Sequence, residues 1–102
     1  TTAEVDTAWH MFPFLIREES GIRRAELQTH MESRGVDTRM VWTGNAARHP
    51  AFKGAAFRQD PAGLPNADAV MSRGLVLPSN HGLDDDDIGY VCATLDSFLE
   101  GQ

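Results

Sequence analysis

A long amphipathic pattern near the end of the chain constrains the fold more than any other feature. Asp84 is the predicted N-cap of a helix there, and Leu83 and Ile88 form a hydrophobic staple around it. The apolar residues that follow recur at the three-and-four spacing of one helix face: Ile88, Val91, Cys92, Leu95, Phe98 and Leu99. A helix with one apolar face needs another element to pack against.

Three short segments are predicted as strands, at 8–16, 39–43 and 75–77, because aromatic and β-branched residues favour a pleated, half-buried surface. Pro13 lacks a backbone donor, which predicts an edge strand or a bulge at that position. The fold class is therefore predicted as α+β, with a small, mostly antiparallel sheet of about three strands and helices packed on one face.

Two further helices are indicated by their ends. Ser20 is the predicted N-cap of the first, and Gly35 is expected to end it in the left-handed conformation with Val36 packing back on the helix. The second runs from an Asn66 cap to residue 73, where Gly74 stops it. Residues 45–65 read as a long connection, of the kind that is often functional.

Charge and cysteine content exclude several kinds of partner. The formal net charge is -6, so phosphate backbones and anionic lipid heads repel the chain, and neither nucleic acid nor a membrane is expected to bind it. One cysteine, Cys92, rules out an internal disulfide and fits a cytoplasmic setting. Its place on the last helix predicts a small core side chain and not a nucleophile.

Other polar clusters favour structural explanations. Residues 84–87 are four aspartates, which suit the positive end of a helix better than they suit a calcium site. Lys53, the single lysine, is expected to be solvated. The histidines lack the close spacing of a zinc motif, so only the fold could assemble a metal site from them: His10, His30, His49 and His81.

The segment at 38–45 is the best candidate for binding. Arg39 can present a planar fork to a phosphate or carboxylate, Gly44 permits close approach of the backbone, and Asn45 can read hydroxyl groups. A surface arginine followed by a turn explains the same residues without a ligand. The residue pattern leaves both explanations open.

Several short segments, in order along nearly the whole chain, carry a resemblance to a known family. They lie at 8–13, 35–39, 42–45, 49–52, 64–68, 77–78 and 82–83. Together they resemble the C-terminal domain of the DegT-type sugar aminotransferases, which are pyridoxal-phosphate (PLP) enzymes acting on nucleotide-linked keto-sugars. The Thr-Arg-x-x-Trp-x-Gly-Asn form at 38–45 is closer to the 3-dehydratase branch of that family, which serves deoxysugar and lipopolysaccharide biosynthesis.

The resemblance implies that residues 1–102 are the small C-terminal domain of a larger homodimeric enzyme. The large domain would carry PLP and the catalytic groups. This chain would be inactive alone and would form part of the substrate pocket wall. The residues implied to contact the sugar nucleotide are Arg39, Asn45, Trp42, His49 and His81. Amination and 3-dehydration both stay open, because the deciding residue lies in the large domain.

Two other hypotheses come from different classes of protein. The chain could be a free-standing, non-catalytic module for ligand binding or interaction that is derived from this family. It could also be a small metal-dependent enzyme that uses the histidines. The length of the natural gene product separates the first hypothesis from the leading one, and metal retention after dialysis tests the second.

Overall fold

The computed structural model describes residues 3–6, 8 and 10–102, and its architecture is α+β. Its helices and strands, in chain order, are β1 Phe12–Leu15, α1 Arg24–Ser33, α2 Pro65–Arg73, β2 Gly74–Leu77 and α3 Asp85–Glu100. The two strands pair antiparallel, with Phe12 opposite Leu77 and Phe14 opposite Leu75. The predicted fold class is therefore confirmed.

One face of the sheet and the two outer helices form the core. Phe14, Leu75 and Leu77 share a sheet face because alternate residues of paired strands point the same way. This face packs against α1 and α3, and the buried cluster comprises Ile16, Leu27, Met31, Val36, Leu75, Leu77 and Phe98. Leu27, Met31 and Leu75 are the most deeply buried large side chains, so each contributes close to its full apolar stabilisation.

Two helix ends follow the sequence prediction. At the start of α3, Asp84 accepts a hydrogen bond from the Asp87 backbone N–H at 2.8 Å, and the Asp87 carboxylate accepts one from the Asp84 N–H at 3.1 Å. At the end of α1, Gly35 has a φ of 79°, and the Val36 N–H donates to the Met31 carbonyl at 3.0 Å. These local signals confirm the aspartate run as a cap and Gly35 as the stop.

The predicted strand over 39–43 is wrong. Only Arg39 pairs with the sheet, through an isolated antiparallel bridge to Val76. Beyond it the backbone turns, because Trp42 and Gly44 have φ values of 43° and 72°, which a strand does not contain. The first strand is also shorter than predicted, at Phe12–Leu15, and Trp9 in the predicted range lies outside the described residues.

Both remaining N-cap predictions are wrong. Ser20 ends a 3₁₀ turn, where its hydroxyl donates to the Arg17 carbonyl at 2.7 Å and accepts from the Ile22 N–H at 3.2 Å. Both hydrogen bonds of its hydroxyl are therefore made within this turn, and α1 begins at Arg24. Asn66 lies inside α2, whose first residue is Pro65. Proline suits the first helical position because the backbone N–H that it lacks would have no partner there.

The apolar stripe of α3 is only partly buried. Phe98 and Thr94 face the core, with the Thr94 carbonyl 2.9 Å from the His30 ring on α1. Cys92 is exposed, so its prediction as a core residue is wrong, and Ile88 is half exposed. The face of α3 turned to the core therefore includes Thr94, a polar position outside the predicted stripe, whose hydroxyl is satisfied by donating to the Tyr90 carbonyl at 2.8 Å.

The long connection contains two 3₁₀ turns, at Ala46–Arg48 and Pro50–Phe52. Phe52 and Phe57 pack edge to face, with ring centroids 5.7 Å apart, and both stay partly exposed. Such a pair adds modest stabilisation and gives this otherwise exposed stretch a local apolar contact.

Candidate functional site

Arg39 is held by its backbone and leaves its guanidinium in solvent. Its N–H donates to the Val76 carbonyl at 3.1 Å, and the Val76 N–H donates back at 2.7 Å. The side chain is 76 % exposed and lies 3.1 Å from an Asp37 carboxylate oxygen. An exposed ion pair of this kind contributes little to stability, so the guanidinium is available to an incoming anion.

Trp42 lies in the turn that follows and is largely exposed. Its side chain is 81 % exposed, and its φ of 43° is the one positive value among non-glycine residues that the structure describes. A bulky residue in this region costs roughly 1–3 kcal/mol and persists only where its surroundings hold it. An exposed, strained tryptophan is unusual for a purely structural side chain.

Gly44 and Asn45 attach this turn to α2. At Gly44 the loop runs so close to the Met71 backbone that a Cβ would clash with it. Asn45 is buried, its amide N–H donates to Asp68 Oδ1 at 2.8 Å, and its carbonyl oxygen accepts from the Ala47 N–H at 3.0 Å. Both ends of the Asn45 amide therefore have protein partners.

Arg48 completes the attachment. Its Nε and Nη2 donate to the two carboxylate oxygens of Asp68 at 2.5 and 3.0 Å, which is the two-pronged geometry that favours arginine. Hydrogen bonds from Arg48, and next those from Asn45, hold the pKa of the Asp68 carboxyl below its ordinary value, and the same pairing raises the pKa of Arg48. Asp68 thus accepts three side-chain N–H groups from one loop.

Asp68→Asn is expected to lower stability at neutral pH and to matter less in acid. The native pKa of Asp68 is depressed, so the folded state binds fewer protons than the unfolded state. Its stabilisation is complete well above the ordinary aspartate pKa of about 3.9 and is lost as the pH falls through the lowered native pKa. Urea midpoints of both proteins at several pH values check this. A gap between the midpoints that is as wide in acid as at neutral pH would contradict it.

Two open clefts meet at Trp42. The first has a volume of about 550 Å³, and the residues bearing on it are His10, Asp37, Arg39, Met40, Trp42, Ser79 and Asn80. The second, of about 370 Å³, is lined among others by Arg24, Met40, Trp42, Asn45, Arg48 and His49. The structure thus brings together four of the five residues predicted to bind substrate.

The two histidines differ. His49 lies beside the second cleft and caps the 3₁₀ turn after it, because its Nδ1 accepts the Ala51 N–H at 3.1 Å. The bond leaves Nε2 as its protonated nitrogen in the neutral ring. His81 lies in an exposed turn next to Asn80 and lines neither cleft. Their roles in substrate binding stay predictions.

Four residues at or beside the clefts were not predicted to contribute to a substrate site: Asp68, Arg48, His10 and Asn80. His10 and Asn80 reach the first cleft only because β1 and the end of β2 are neighbours. Asn80 also closes its own turn by accepting the Gly82 N–H at 2.8 Å. No local signal marks Asp68, because its partners are twenty or more positions away.

The described residues offer no candidate cluster of metal ligands and no candidate membrane-spanning helix. Among residues 3–6, 8 and 10–102, no three His, Cys, Asp or Glu side chains are grouped as metal ligands would be. No helix in those ranges is both long and apolar enough to cross a bilayer.

The fold and clefts define a small α+β domain that presents an arginine and a tryptophan on an open concave surface. Residues 1–96 match the model of the DegT/DnrJ/EryC1/StrS aminotransferase family, and the chain belongs to that family. Two curated relatives and one solved structure illustrate the likeness.

A protein of Saccharopolyspora spinosa named dTDP-4-dehydro-2,6-dideoxy-D-glucose 3-dehydratase is 35% identical over 96% of this chain and 21% of its own length. The lipopolysaccharide biosynthesis protein RfbH of Salmonella typhimurium is 29% identical over 96% of this chain and 22% of its own. The E. coli GDP-4-keto-6-deoxy-D-mannose-3-dehydratase, solved with bound hydrated PLP, superposes with a TM-score of 0.75 at 27% identity, covering 85% of this chain and 22% of that one. The chain spans about a fifth of the length of these relatives.

Proposed function

We propose that this chain is the small C-terminal domain of a PLP-dependent enzyme that aminates or 3-dehydrates a nucleotide-linked keto-sugar. In this proposal the first cleft is part of the substrate pocket wall. The observation that carries it is the convergence of Arg39 and Trp42 on one open cleft in a chain of this family. Relatives named as a 3-dehydratase and as a lipopolysaccharide biosynthesis protein support a deoxysugar substrate.

Arg39 and Trp42 would bind different parts of such a substrate. The guanidinium presents several N–H donors in a plane, which suits the diphosphate that links sugar and nucleoside. The indole of Trp42 offers an exposed flat face for a sugar ring or a base. Asp37, 3.1 Å from Arg39, would orient the guanidinium until the more highly charged diphosphate replaces it.

In this proposal PLP is bound by the rest of the enzyme and not by this chain. Lys53, the only lysine, is exposed in the turn after Pro50–Phe52 and lines neither cleft, so it is not placed to hold an aldehyde cofactor. When bound elsewhere in the full-length enzyme, PLP would supply an electron sink. This domain would only position and enclose the sugar nucleotide.

The proposal includes a large PLP-binding domain, supplied by polypeptide outside this chain, and a homodimer in the cytoplasm. The short span relative to the relatives supports the missing domain. An apolar groove of about 360 Å³, on which Phe12, Ile88 and Cys92 are exposed, gives the large domain a surface to cover.

Arg39→Ala in the full-length enzyme is expected to raise KM about ten- to a hundredfold, the range for losing a hydrogen-bonded charge partner. Its melting temperature should change little, because the side chain is exposed. Steady-state kinetics with the nucleotide-linked keto-sugar measures this. Arg58→Ala is the matched control, since Arg58 is exposed and lines neither cleft. An unchanged KM for Arg39→Ala would remove the first cleft from the substrate pocket.

A further inference from the structure

Asp68 is the residue of α2 that is hydrogen-bonded to the loop at residues 40–48, which contains Trp42. It accepts hydrogen bonds from Asn45 Nδ2 at 2.8 Å and from Arg48 Nε and Nη2 at 2.5 and 3.0 Å. Asp68 lines neither of the two clefts. Its hydrogen-bond partners, Asn45 and Arg48, both line the second cleft, so this carboxylate can influence a ligand there through the loop that they belong to.

The loop needs these hydrogen bonds because the backbone at Trp42 is strained. Trp42 has a φ of 43°, and a bulky residue leaves that conformation when its surroundings no longer hold it. Its upstream side is fixed at Arg39 by two backbone hydrogen bonds to Val76. Its downstream side is fixed by Asn45, whose only side-chain partner beyond its own turn, among the described residues, is Asp68.

A further downstream contact is packing at Gly44, which places the loop against Met71 on the same helix. Packing at a glycine limits distance but supplies no directional bond. The hydrogen bonds to Asp68 therefore determine how the loop is oriented relative to α2. Trp42 borders both clefts, so the orientation of the loop sets the position of the side chain that lies between them.

We infer that Asp68 is a positioning residue for substrate binding, acting through the loop to hold Trp42 between the two clefts. It touches no substrate. The inference rests on the proposed function for its substrate part, while the anchoring of the loop can be measured without any ligand.

Limited trypsin digestion tests the anchoring in the full-length protein. Trypsin needs a free arginine side chain, and that of Arg48 is engaged by Asp68. Asp68→Asn should speed cleavage after Arg48 at least roughly tenfold, as expected when charge-assisted bonds that hold a local conformation are lost. Asp96→Asn, a change at an exposed carboxylate on α3, should leave the rate unaltered. An unchanged rate in Asp68→Asn overturns the inference.

A double-mutant cycle tests the route through Trp42. Asp68→Asn and Trp42→Ala should each raise KM, the first by roughly three- to tenfold, with kcat nearly constant. Asp68→Asn should add almost nothing in the Trp42→Ala background, because residues that act as one unit are not additive. Effects that multiply independently overturn the inference. A normal KM in Asp68→Asn, together with a raised KM in Arg39→Ala, overturns it while leaving the proposed function intact. Normal KM values in both Arg39→Ala and Trp42→Ala overturn the proposed function, and the substrate part of the inference with it.

Discussion

Gly44→Ala is expected to destabilise the chain by about 2–5 kcal/mol. The φ of 72° costs an alanine roughly 1–2 kcal/mol, and overpacking against the Met71 backbone adds roughly 1–3 kcal/mol. The nearest atoms are the backbone N and Cα and the Cβ of Met71, so no flexible end of a side chain can move aside. Urea denaturation followed by circular dichroism measures the change.

Gly54→Ala separates the two contributions. Gly54 has a φ of 81°, yet nothing lies within 4 Å of the position its Cβ would take. Its alanine variant should lose only the conformational part, about 1–2 kcal/mol. Equal losses for the two variants would show that the loop does not press on α2, and would weaken the case for a tightly held Trp42.

Leu27→Ala is expected to cost about 2–5 kcal/mol, the usual range for emptying a fully buried leucine site. Leu27 is 2% exposed on α1 and belongs to the cluster formed with the sheet and α3. The surrounding side chains come from three elements and cannot all collapse into the space. Chemical denaturation of the 102-residue chain gives the value.

Leu99→Ala on α3 is the matched change at a helical leucine that is 45% exposed. It should cost under about 1 kcal/mol in this chain. A loss as large as that of Leu27→Ala would contradict the arrangement in which Thr94 and Phe98, and not the whole apolar stripe, face the core.

The reliable sequence predictions concern residues whose partners are close in the chain. Asp84 and Asp87 satisfy each other across one helical turn, and Gly35 and Val36 close α1 on the residues just before them. The N-cap predictions for Ser20 and Asn66 were wrong because a neighbouring feature took precedence. The hydroxyl of Ser20 is hydrogen-bonded within a 3₁₀ turn, and α2 begins at Pro65, one residue before Asn66.

The candidate site divides in the same way. The resemblance of the 38–45 segment pointed to Arg39 and Trp42, and the structure places both on one cleft. It also shows that Asn45 is buried with both amide ends occupied: Ala47 in the same turn occupies the oxygen, and the position of α2 supplies Asp68 for the nitrogen. The contacts of Asp68 with this loop could not be predicted from the sequence, since an aspartate in a helix is common and its partners are twenty or more positions away.

By itself, the sequence determined the α+β class, the buried β2 strand, the capped α3 helix and the family resemblance. Each of these depends on periodicity, on contacts within a few residues, or on the order of short segments. Tertiary structure alone decided the buried face of α3, the reduction of the third strand to one bridge at Arg39, and the hold of Asp68 on the Trp42 loop. Those features arise from packing and hydrogen bonds between distant segments, whose strength depends on distances in space that a linear pattern does not contain.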